Sequence, residues 1–149
     1  MDKNSDLQRQ RPFAGTLARL KSAGLRPTRQ RLALGKLLFD AGDRHVTAEQ
    51  LHGEADAQGI KVSLATVYNT LNQFSTSGLL REVVVAPGRS YFDTNVDDHH
   101  HFFYEDDATL QDIPGDQIAL AALPDAPADA EVARVDVIVR LRRTDENRS

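Results

Sequence analysis

Cysteine is absent from the sequence, and so is any long apolar run. Without cysteine the chain can form neither a disulfide nor a structural zinc site with thiolate ligands, and this composition fits the cytoplasm. No apolar run approaches the roughly 18–20 residues that span a membrane, and the polar N-terminus lacks the pattern of a signal peptide. We therefore expect a cytoplasmic protein, and its 149 residues allow one or two small domains.

The net charge of −4 hides an uneven distribution of charge along the chain. Residues 1–90 carry 13 Lys and Arg against 8 Asp and Glu, whereas residues 91–149 carry 5 against 14. A basic half favours a polyanion, and an acidic half favours cations or a protein partner. The alternative is an uneven surface without a partner. Because the hydrophobic pattern changes at the same place, we expect two domains, 1–90 and 91–149.

The apolar residues of the first half recur at helical spacing and predict four helices. Capping residues mark the starts of the second, third and fourth helices, namely Thr28, the capping box Thr47–Gln50 and Ser63. The first helix is expected to run from near Pro12 to Gly24 and the third from about Ala48 to Ala57. The positions expected to be buried are Phe13, Leu17 and Leu20 in the first helix, Leu34, Leu37, Leu38 and Ala41 in the second, and Leu64, Val67, Leu71 and Phe74 in the fourth.

Two strands are expected after these helices, at 80–85 and 90–92, joined by the turn Ala86–Arg89. Helices separated by short turns and followed by a two-stranded wing are typical of a winged helix-turn-helix. The fold class is therefore α+β, with an N-terminal winged helix-turn-helix as the DNA-binding domain.

The fourth helix is the element expected to enter a major groove of double-stranded DNA. Amide side chains pair with adenine, and small or aromatic groups contact the thymine methyl, so its uncharged face suits an A·T-rich operator. Arginines near the start of the second helix are placed to hold phosphates or enter a minor groove. The alternative is an ordinary polar helix face with solvated charges. The expected DNA-binding residues are Arg26, Arg29, Arg31, Ala65, Thr66, Tyr68, Asn69 and Asn72, and Gln73 shares the same exposed face.

The second half is expected to form a small α/β domain. Strands are predicted at 91–93, 99–104, 110–113 and 132–141, with a short helical stretch at Gln117–Leu123. A small mixed sheet with few helices to cover it favours pairing with a second copy of the chain. A homodimer would carry two reading helices, which match a two-fold symmetric operator.

Three consecutive histidines, His99, His100 and His101, follow the acidic pair Asp97 and Asp98. Imidazole is the commonest metal ligand near neutral pH, and carboxylates are frequent partners. On a strand, His99 and His101 project from one face and His100 from the other. Two imidazoles on one face are suited to a shared metal ion or to haem iron. A surface histidine run without a ligand is the alternative.

These residues resemble the ferric uptake regulator family. The resemblance lies in Gly24–Arg31, His45–Leu51, Ser63–Phe74 and the histidine run, and it covers roughly residues 15–113. Within the family the chain is most similar to the iron response regulator branch, which has a histidine triplet and lacks the cysteine pairs of typical members. The resemblance implies a transcription regulator of iron and haem genes that responds to iron or haem.

The resemblance also implies a regulatory metal site for Fe²⁺, Mn²⁺ or Zn²⁺ that would link the two domains. Its residues fall on His45, Asp93, His99, His101 and Asp112, with aspartates where typical members have glutamates. Two other metal sites of the family are altered in this chain. Tyr104 and Asp107 stand where the structural zinc site has its first pair of cysteines. A second histidine-acid site keeps Asp98 and His100, but Ala119 stands where an acid is expected. Asn69 replaces an arginine common in the reading helix.

Two mechanisms are compatible with this resemblance. In the favoured one, the protein binds DNA when iron is scarce and is released by haem, whose ligands would come from His99, His100 and His101 because a cysteine-proline haem motif is impossible. In the other, a divalent metal between the domains activates a repressor. Two further alternatives are a small metallohydrolase, which would need an open coordination position, and a winged-helix regulator that does not respond to metal.

Overall fold

The computed structural model describes residues 3–144, with side chains from residue 12 onward. The chain divides into two compact units, Met1–Val96 and Asp97–Ser149, which we call the first and second units. In the described part of the chain, four α-helices and one three-stranded sheet belong to the first unit, and a second three-stranded sheet belongs to the second. None of the described helices combines the length and apolar character needed to cross a membrane.

The helices of the first unit are α1 (Lys3–Ser22), α2 (Arg29–Phe39), α3 (Ala48–Ala57) and α4 (Leu64–Thr76). The predicted caps of the last three are confirmed. The side chains of Thr28 and Ser63 accept hydrogen bonds from backbone N–H groups of the first turn, and Thr47 forms a reciprocal capping box with Gln50. These bonds satisfy helix-terminal donors and fix where each helix starts. The predicted start of α1 near Pro12 is wrong, because the helix continues through Pro12.

The three strands of the first unit are β1 (His45–Val46), β2 (Arg81–Ala86) and β3 (Arg89–Asp93). They pair antiparallel in the order β1-β3-β2, so that β3 is central. The predicted wing is thus confirmed as the β2–β3 hairpin. Gly88 has a φ of +72° in its turn, a conformation that glycine adopts without steric cost. Strand β1 was not predicted, because two residues are too few to show alternation.

The core of the first unit lies beneath α4. Val67, Leu71 and Phe74 are fully buried, together with Leu20, Leu34, Leu38 and Leu51 from the other three helices. Three predicted core positions are wrong: Phe13 is 39% exposed, Leu64 is 36% exposed and Ala41 is exposed. Phe13 lines an open groove beside Leu37, and Leu64 is the first residue of α4. Helical spacing identifies a face, but it does not show where neighbouring elements stop covering that face.

The second unit contains β4 (His100–Tyr104), β5 (Thr109–Ile113) and β6 (Ile138–Leu141) in the order β5-β4-β6. The β4–β5 pair is antiparallel and the β4–β6 pair is parallel. The predicted helix at Gln117–Leu123 is wrong, since only a 3₁₀ turn forms there, at Gly115–Gln117. The strand predicted at 132–141 is shorter, because only its last four residues pair with β4. Leu120, Leu123 and Val132 remain about half exposed, so that segment lacks the burial that would stabilise regular structure.

Phe74→Ala is expected to lower the free energy of unfolding by about 3–5 kcal/mol, because it removes a fully buried ring from a packed core. Phe13→Ala is its matched control and is expected to cost about 1 kcal/mol or less, because its ring is exposed. Urea denaturation followed by circular dichroism measures both values. A loss at Phe13 as large as that at Phe74 would show that Phe13 belongs to the core after all.

Candidate nucleic-acid interface and metal centre

Helix α4 presents an uncharged polar face to solvent. Its apolar side is held in the core by Val67, Leu71 and Phe74. A helix turns 100° per residue, so the residues on the opposite side must face outward. The outward residues are Ala65, Asn69, Asn72 and Gln73, which are exposed, Tyr68, which is 38% exposed, and Thr66, which is half-buried. The same residues were expected on this face from the sequence, but the burial of Thr70 and the exposure of Leu64 were not.

Tyr68 is held by a hydrogen bond to the neighbouring helix. Its hydroxyl donates to Oε1 of Glu49 in α3 over 2.6 Å. This bond lowers the pKa of the Glu49 carboxyl and raises the pKa of the Tyr68 hydroxyl, because it stabilises the charged acid and the neutral phenol. This contact of Glu49 was not expected from the sequence, because Glu49 lies within the Thr47–Gln50 capping box and was interpreted only as part of a helix start.

The three arginines near α2 differ in their contacts. Arg26 and Arg29 are exposed, and their side chains have no hydrogen bond or ion pair with the described residues. Arg31 is half-buried; its Nη1 donates to the carbonyl of Arg26 over 2.8 Å, and its Nε and Nη2 donate to Oε1 of Gln73 over 3.3 and 3.0 Å. Arg26, Arg31 and Gln73, but not Arg29, border a polar cleft of about 420 Å³ that also includes Thr66 and Asn69.

A row of polar residues crosses the sheet of the first unit. Asp93 on the central strand β3 is directly opposite His45 on β1 and directly opposite Arg81 on β2. Asp93 and Arg81 are 1% and 5% exposed, and an Asp93 carboxylate oxygen accepts from the backbone N–H of Asn95 over 2.9 Å. Residues that face each other in an antiparallel pair lie on the same side of the sheet. The first unit therefore places His45 and Asp93, both expected metal ligands, side by side.

The second unit brings three expected metal ligands together. Nε2 of His99 and Nε2 of His101 lie 3.4 and 3.3 Å from the same carboxylate oxygen, Oδ1 of Asp112. The ligand atoms of these three residues lie within 4.8 Å of one another. The β4–β5 register places His101 opposite Asp112, and His99 precedes β4 by one residue. Both imidazole rings are at least 95% buried, whereas Asp112 is exposed.

The hydrogen bond of His99 fixes which of its ring nitrogens can bind a metal ion. Nδ1 lies 2.6 Å from the carbonyl oxygen of Asp97, and a carbonyl can only accept. Nδ1 therefore carries the proton, and in the neutral ring Nε2 presents its lone pair toward Asp112. Histidines that bind a metal through one ring nitrogen usually donate a hydrogen bond from the other to a carbonyl or carboxylate, as Nδ1 of His99 does to Asp97. The donor set of two imidazoles and a carboxylate fits a divalent cation.

His100 differs from its two neighbours. Its ring is half-buried, and Nδ1 accepts a hydrogen bond from the backbone N–H of Val137 over 3.1 Å. Because Nδ1 accepts, the neutral ring carries its proton on Nε2 and has no lone pair left for a metal. The structure thus gives the three consecutive histidines two different environments.

A sequence model of the Ferric uptake regulator family matches residues 22–128, well over half of the chain. The chain belongs to this family. The match covers α2, α3, α4, the wing and the sheet strands β4 and β5. Family membership agrees with the four-helix unit and the small second sheet described above.

Relatives and structural neighbours of the chain carry the same family name. The Ferric uptake regulation protein of Shigella flexneri is 38% identical over 80 residues, which are 54% of each chain, so the match spans about half the length of that relative. The Ferric uptake regulator of Pseudomonas aeruginosa, solved with manganese, has a TM-score of 0.64 at 22% identity over 86% of this chain and 97% of its own. The Ferric uptake regulator of Francisella tularensis, solved with iron, has a TM-score of 0.64 at 19% identity over 80% and 92%. At these identities the structural likeness shows a common fold.

A cluster around Arg143 occupies the place where the family resemblance puts its first cysteine pair. The Arg143 guanidinium donates to Oδ2 of Asp107 over 2.7 Å and lies 4.1 Å from the centre of the Tyr104 ring. The bond from Arg143 lowers the pKa of the Asp107 carboxyl. The backbone N–H of Arg143 also donates to Asp106, so the end of β6 is tied to the β4–β5 turn. In this chain, ionic and cation–π contacts stand at the positions where the family resemblance implies thiolates.

The Tyr68–Glu49 bond predicts a defined pH dependence. Because the folded-state pKa of Glu49 is lowered, the bond stabilises the fold at pH values above the ordinary pKa of glutamate, and this contribution is lost as the pH falls through the folded-state value. Tyr68→Phe is expected to return the Glu49 pKa toward its ordinary value, as measured by carbon-13 NMR of the carboxyl. The lowered pKa of Asp107 is the internal control and is expected to stay unchanged. A Glu49 pKa that Tyr68→Phe does not move would contradict the bond.

Proposed function

We propose that the chain is a transcription regulator that binds double-stranded DNA as a homodimer and changes its affinity for DNA when a divalent metal binds. The observation that carries the proposal is the convergence of His99, His101 and Asp112 in a chain whose other unit exposes an uncharged helix-turn-helix face. Membership of the Ferric uptake regulator family supports it. Neighbours solved with manganese and with iron support Mn²⁺ and Fe²⁺ as ligands, with Zn²⁺ as a third candidate.

In this proposal α4 enters the major groove and reads bases with its outward residues. Asn69 and Asn72 are exposed amides suited to adenine, and Ala65 and Thr66 are small groups suited to the thymine methyl. Tyr68 adds an aromatic ring whose hydroxyl is already held by Glu49. Arg26 and Arg29, whose side chains form no hydrogen bond or ion pair with the described residues, are available for phosphates. Two such helices in a homodimer would match a two-fold symmetric, A·T-rich operator.

His99, His101 and Asp112 would hold the metal in the second unit, and the family resemblance adds His45 and Asp93 of the first unit as further ligands. A bound divalent cation supplies positive charge and directional coordination that can join these groups. Shared coordination would restrict the first unit relative to the second and so set the spacing of two reading helices. Since that spacing must match the operator, metal affinity and DNA affinity become coupled. The same proposal makes the protein a regulator rather than the metallohydrolase that the histidine and aspartate cluster alone left open.

His101→Ala is expected to abolish stoichiometric binding of Mn²⁺ at micromolar protein concentration, because it removes a buried imidazole from the ligand set. Asp112→Asn is expected to weaken Mn²⁺ binding strongly, because it removes the anionic oxygen that both imidazoles face. His100→Ala is the matched control and is expected to bind Mn²⁺ as the wild type does. Electron paramagnetic resonance of free Mn²⁺ measures the three affinities.

Fluorescence anisotropy with a duplex that the Mn²⁺-loaded wild type selects from a random library then connects the metal to DNA. In the metal proposal, the wild type gains affinity with Mn²⁺, and His101→Ala does not respond to Mn²⁺. Equal DNA affinity of the wild type and His101→Ala, with and without Mn²⁺, would favour a winged-helix regulator that is blind to metal. Hydrolytic activity that a chelator removes would instead revive the metallohydrolase.

We propose haem as a second candidate signal, in which the protein binds DNA when iron is scarce and is released by haem. His99 and His101 are almost completely buried, so either ring must leave the interior to reach a haem iron. Ligation by His99 or His101 would therefore disturb the start of β4, which is a physical route to release. His100 would first have to give up its bond from Val137 or move its ring proton.

A haem titration followed by visible absorption tests this second candidate. The wild type is expected to show a saturable Soret shift that the His99→Ala/His101→Ala double variant lacks, and haem is expected to release the selected duplex. A shift that survives in the double variant and disappears in His100→Ala would move the ligand to His100. The absence of any saturable shift would leave the divalent metal as the only proposed signal.

A further inference from the structure

The Arg31 guanidinium forms hydrogen bonds with other groups of the same chain. Three of its nitrogen atoms donate to two acceptors, the carbonyl of Arg26 before α2 and the side-chain oxygen of Gln73 on α4. A guanidinium has five N–H donors in a rigid fork, so these three bonds fix its plane and leave two donors. The arginine that the sequence analysis expected to contact DNA is therefore a brace between the start of α2 and the exposed side of α4.

The brace determines how Gln73 presents its amide group. A guanidinium only donates, so the amide atom that faces Arg31 must be the oxygen. With its oxygen occupied by two N–H groups, Gln73 has its NH₂ group left for other partners. Gln73 is exposed on the same arc of α4 as Thr66 and Asn69, and all three border the open polar cleft beside α2.

We propose that Arg31 is a positioning residue for DNA recognition, and that it makes Gln73 a hydrogen-bond donor to an acceptor of the bound DNA. The proposal rests on the proposed function, and it assigns Arg31 a role different from the phosphate contact expected from the sequence. The acceptor is an oxygen or nitrogen of the DNA, either on a base edge in the major groove or on a phosphate. Gln73 belongs to the reading face, and Arg31 acts through it.

Arg26 and Arg29 provide the contrast within the same region. Both are exposed, and their side chains form no hydrogen bond or ion pair with the described residues that would compete with DNA. A phosphate contact releases counterions, so its removal lowers the slope of log K against log salt by about 0.9. A brace whose hydrogen bonds stay within the protein neutralises no phosphate when DNA binds, so its removal is expected to leave the salt slope unchanged. The salt slope therefore separates the two roles.

The experiment uses the whole 149-residue chain with Mn²⁺ and the duplex selected by the wild type, at several salt concentrations. Arg31→Ala and Arg31→Lys are both expected to weaken binding roughly 2- to 12-fold, the value of one hydrogen bond, with an unchanged salt slope. Lysine keeps the charge but cannot form the planar fork, so it is not expected to rescue a brace. Arg29→Ala is the matched control, with a salt slope lower by about 0.9.

Gln73 variants test the donor directly. Gln73→Ala is expected to weaken binding as much as Arg31→Ala, and the double variant no more than either, because both changes remove one interaction. Gln73→Glu keeps an acceptor for Arg31 but replaces the NH₂ group with an anionic oxygen. It is expected to retain the thermal stability of the wild type and to bind DNA more weakly than Gln73→Ala.

Base substitutions in the duplex distinguish the two sources of the acceptor. A base-edge acceptor predicts that Gln73→Ala loses preference at one position of each half-site, whereas a phosphate acceptor predicts a uniform loss at all positions. The proposal is overturned if Arg31→Lys restores wild-type affinity, if Arg31→Ala lowers the salt slope as Arg29→Ala does, or if Gln73→Glu binds as the wild type does. Absence of any saturable DNA binding by the wild type would instead overturn the proposed function. The Arg31–Gln73 contact can still be measured in the free protein, by comparing the thermal stability of the two single variants with that of the double variant.

Discussion

The burial of one side of α4 is the constraint on which the first unit depends. Val67, Leu71 and Phe74 are fully buried beneath the helix, and their positions leave a single rotational setting for α4. Every property of the outward face follows from that setting, including the two exposed asparagines. Neighbouring helices then hold the edges of this face, with Glu49 bonded to Tyr68 on one side and Arg31 bonded to Gln73 on the other. Asn69 and Asn72, which lie between Tyr68 and Gln73 in the sequence, have no such hydrogen bond with the described residues.

The second unit differs from the first because it buries polar side chains next to one another. His99 and His101 are almost completely buried and share one oxygen of Asp112, which itself stays exposed. Burial of polar rings is costly unless each has a partner. Nδ1 of His99 donates to the carbonyl of Asp97, whereas the Nε2 lone pair and the Asp112 carboxylate face each other as two acceptors that a cation would satisfy. A preorganised set of this kind needs little rearrangement to bind a cation, which makes its geometry more informative than the histidine count.

The sequence predicted the first unit well because its signals are local. Caps at Thr28, Thr47 and Ser63 mark helix starts by chemistry that acts within three residues, and the structure contains all three. The turn at Gly88 likewise depends on the backbone freedom of one residue. The failures depend on neighbours that are distant in sequence. Phe13 has the spacing of a core residue, but the groove beside it is open, and β1 exists only because β3 pairs with it.

The same reasoning explains how much of the candidate site was predictable. Residue type and the strand period place His99 and His101 together, and the family resemblance supplied Asp112 and the pair His45 and Asp93. No sequence signal distinguishes His100, whose environment depends on the backbone N–H of Val137 much later in the chain. Glu49, Arg31 and Gln73 act through contacts between helices. Such contacts have no sequence period, so their roles emerged only from the structure.

The pairing of β4 with β6, which lies much later in the chain, affects the order in which the two units can fold. β4 is the central strand of the second unit, and its second neighbour is β6, so that His101 pairs with Ile138. A ribosome releases Met1–Val96 long before it releases β6, and domains fold as they emerge. The first unit can therefore fold while β4 is paired with β5 alone and still lacks β6, its second neighbour. Each nascent chain thus folds the unit that carries α4 first and completes the sheet that carries His100 and His101 last.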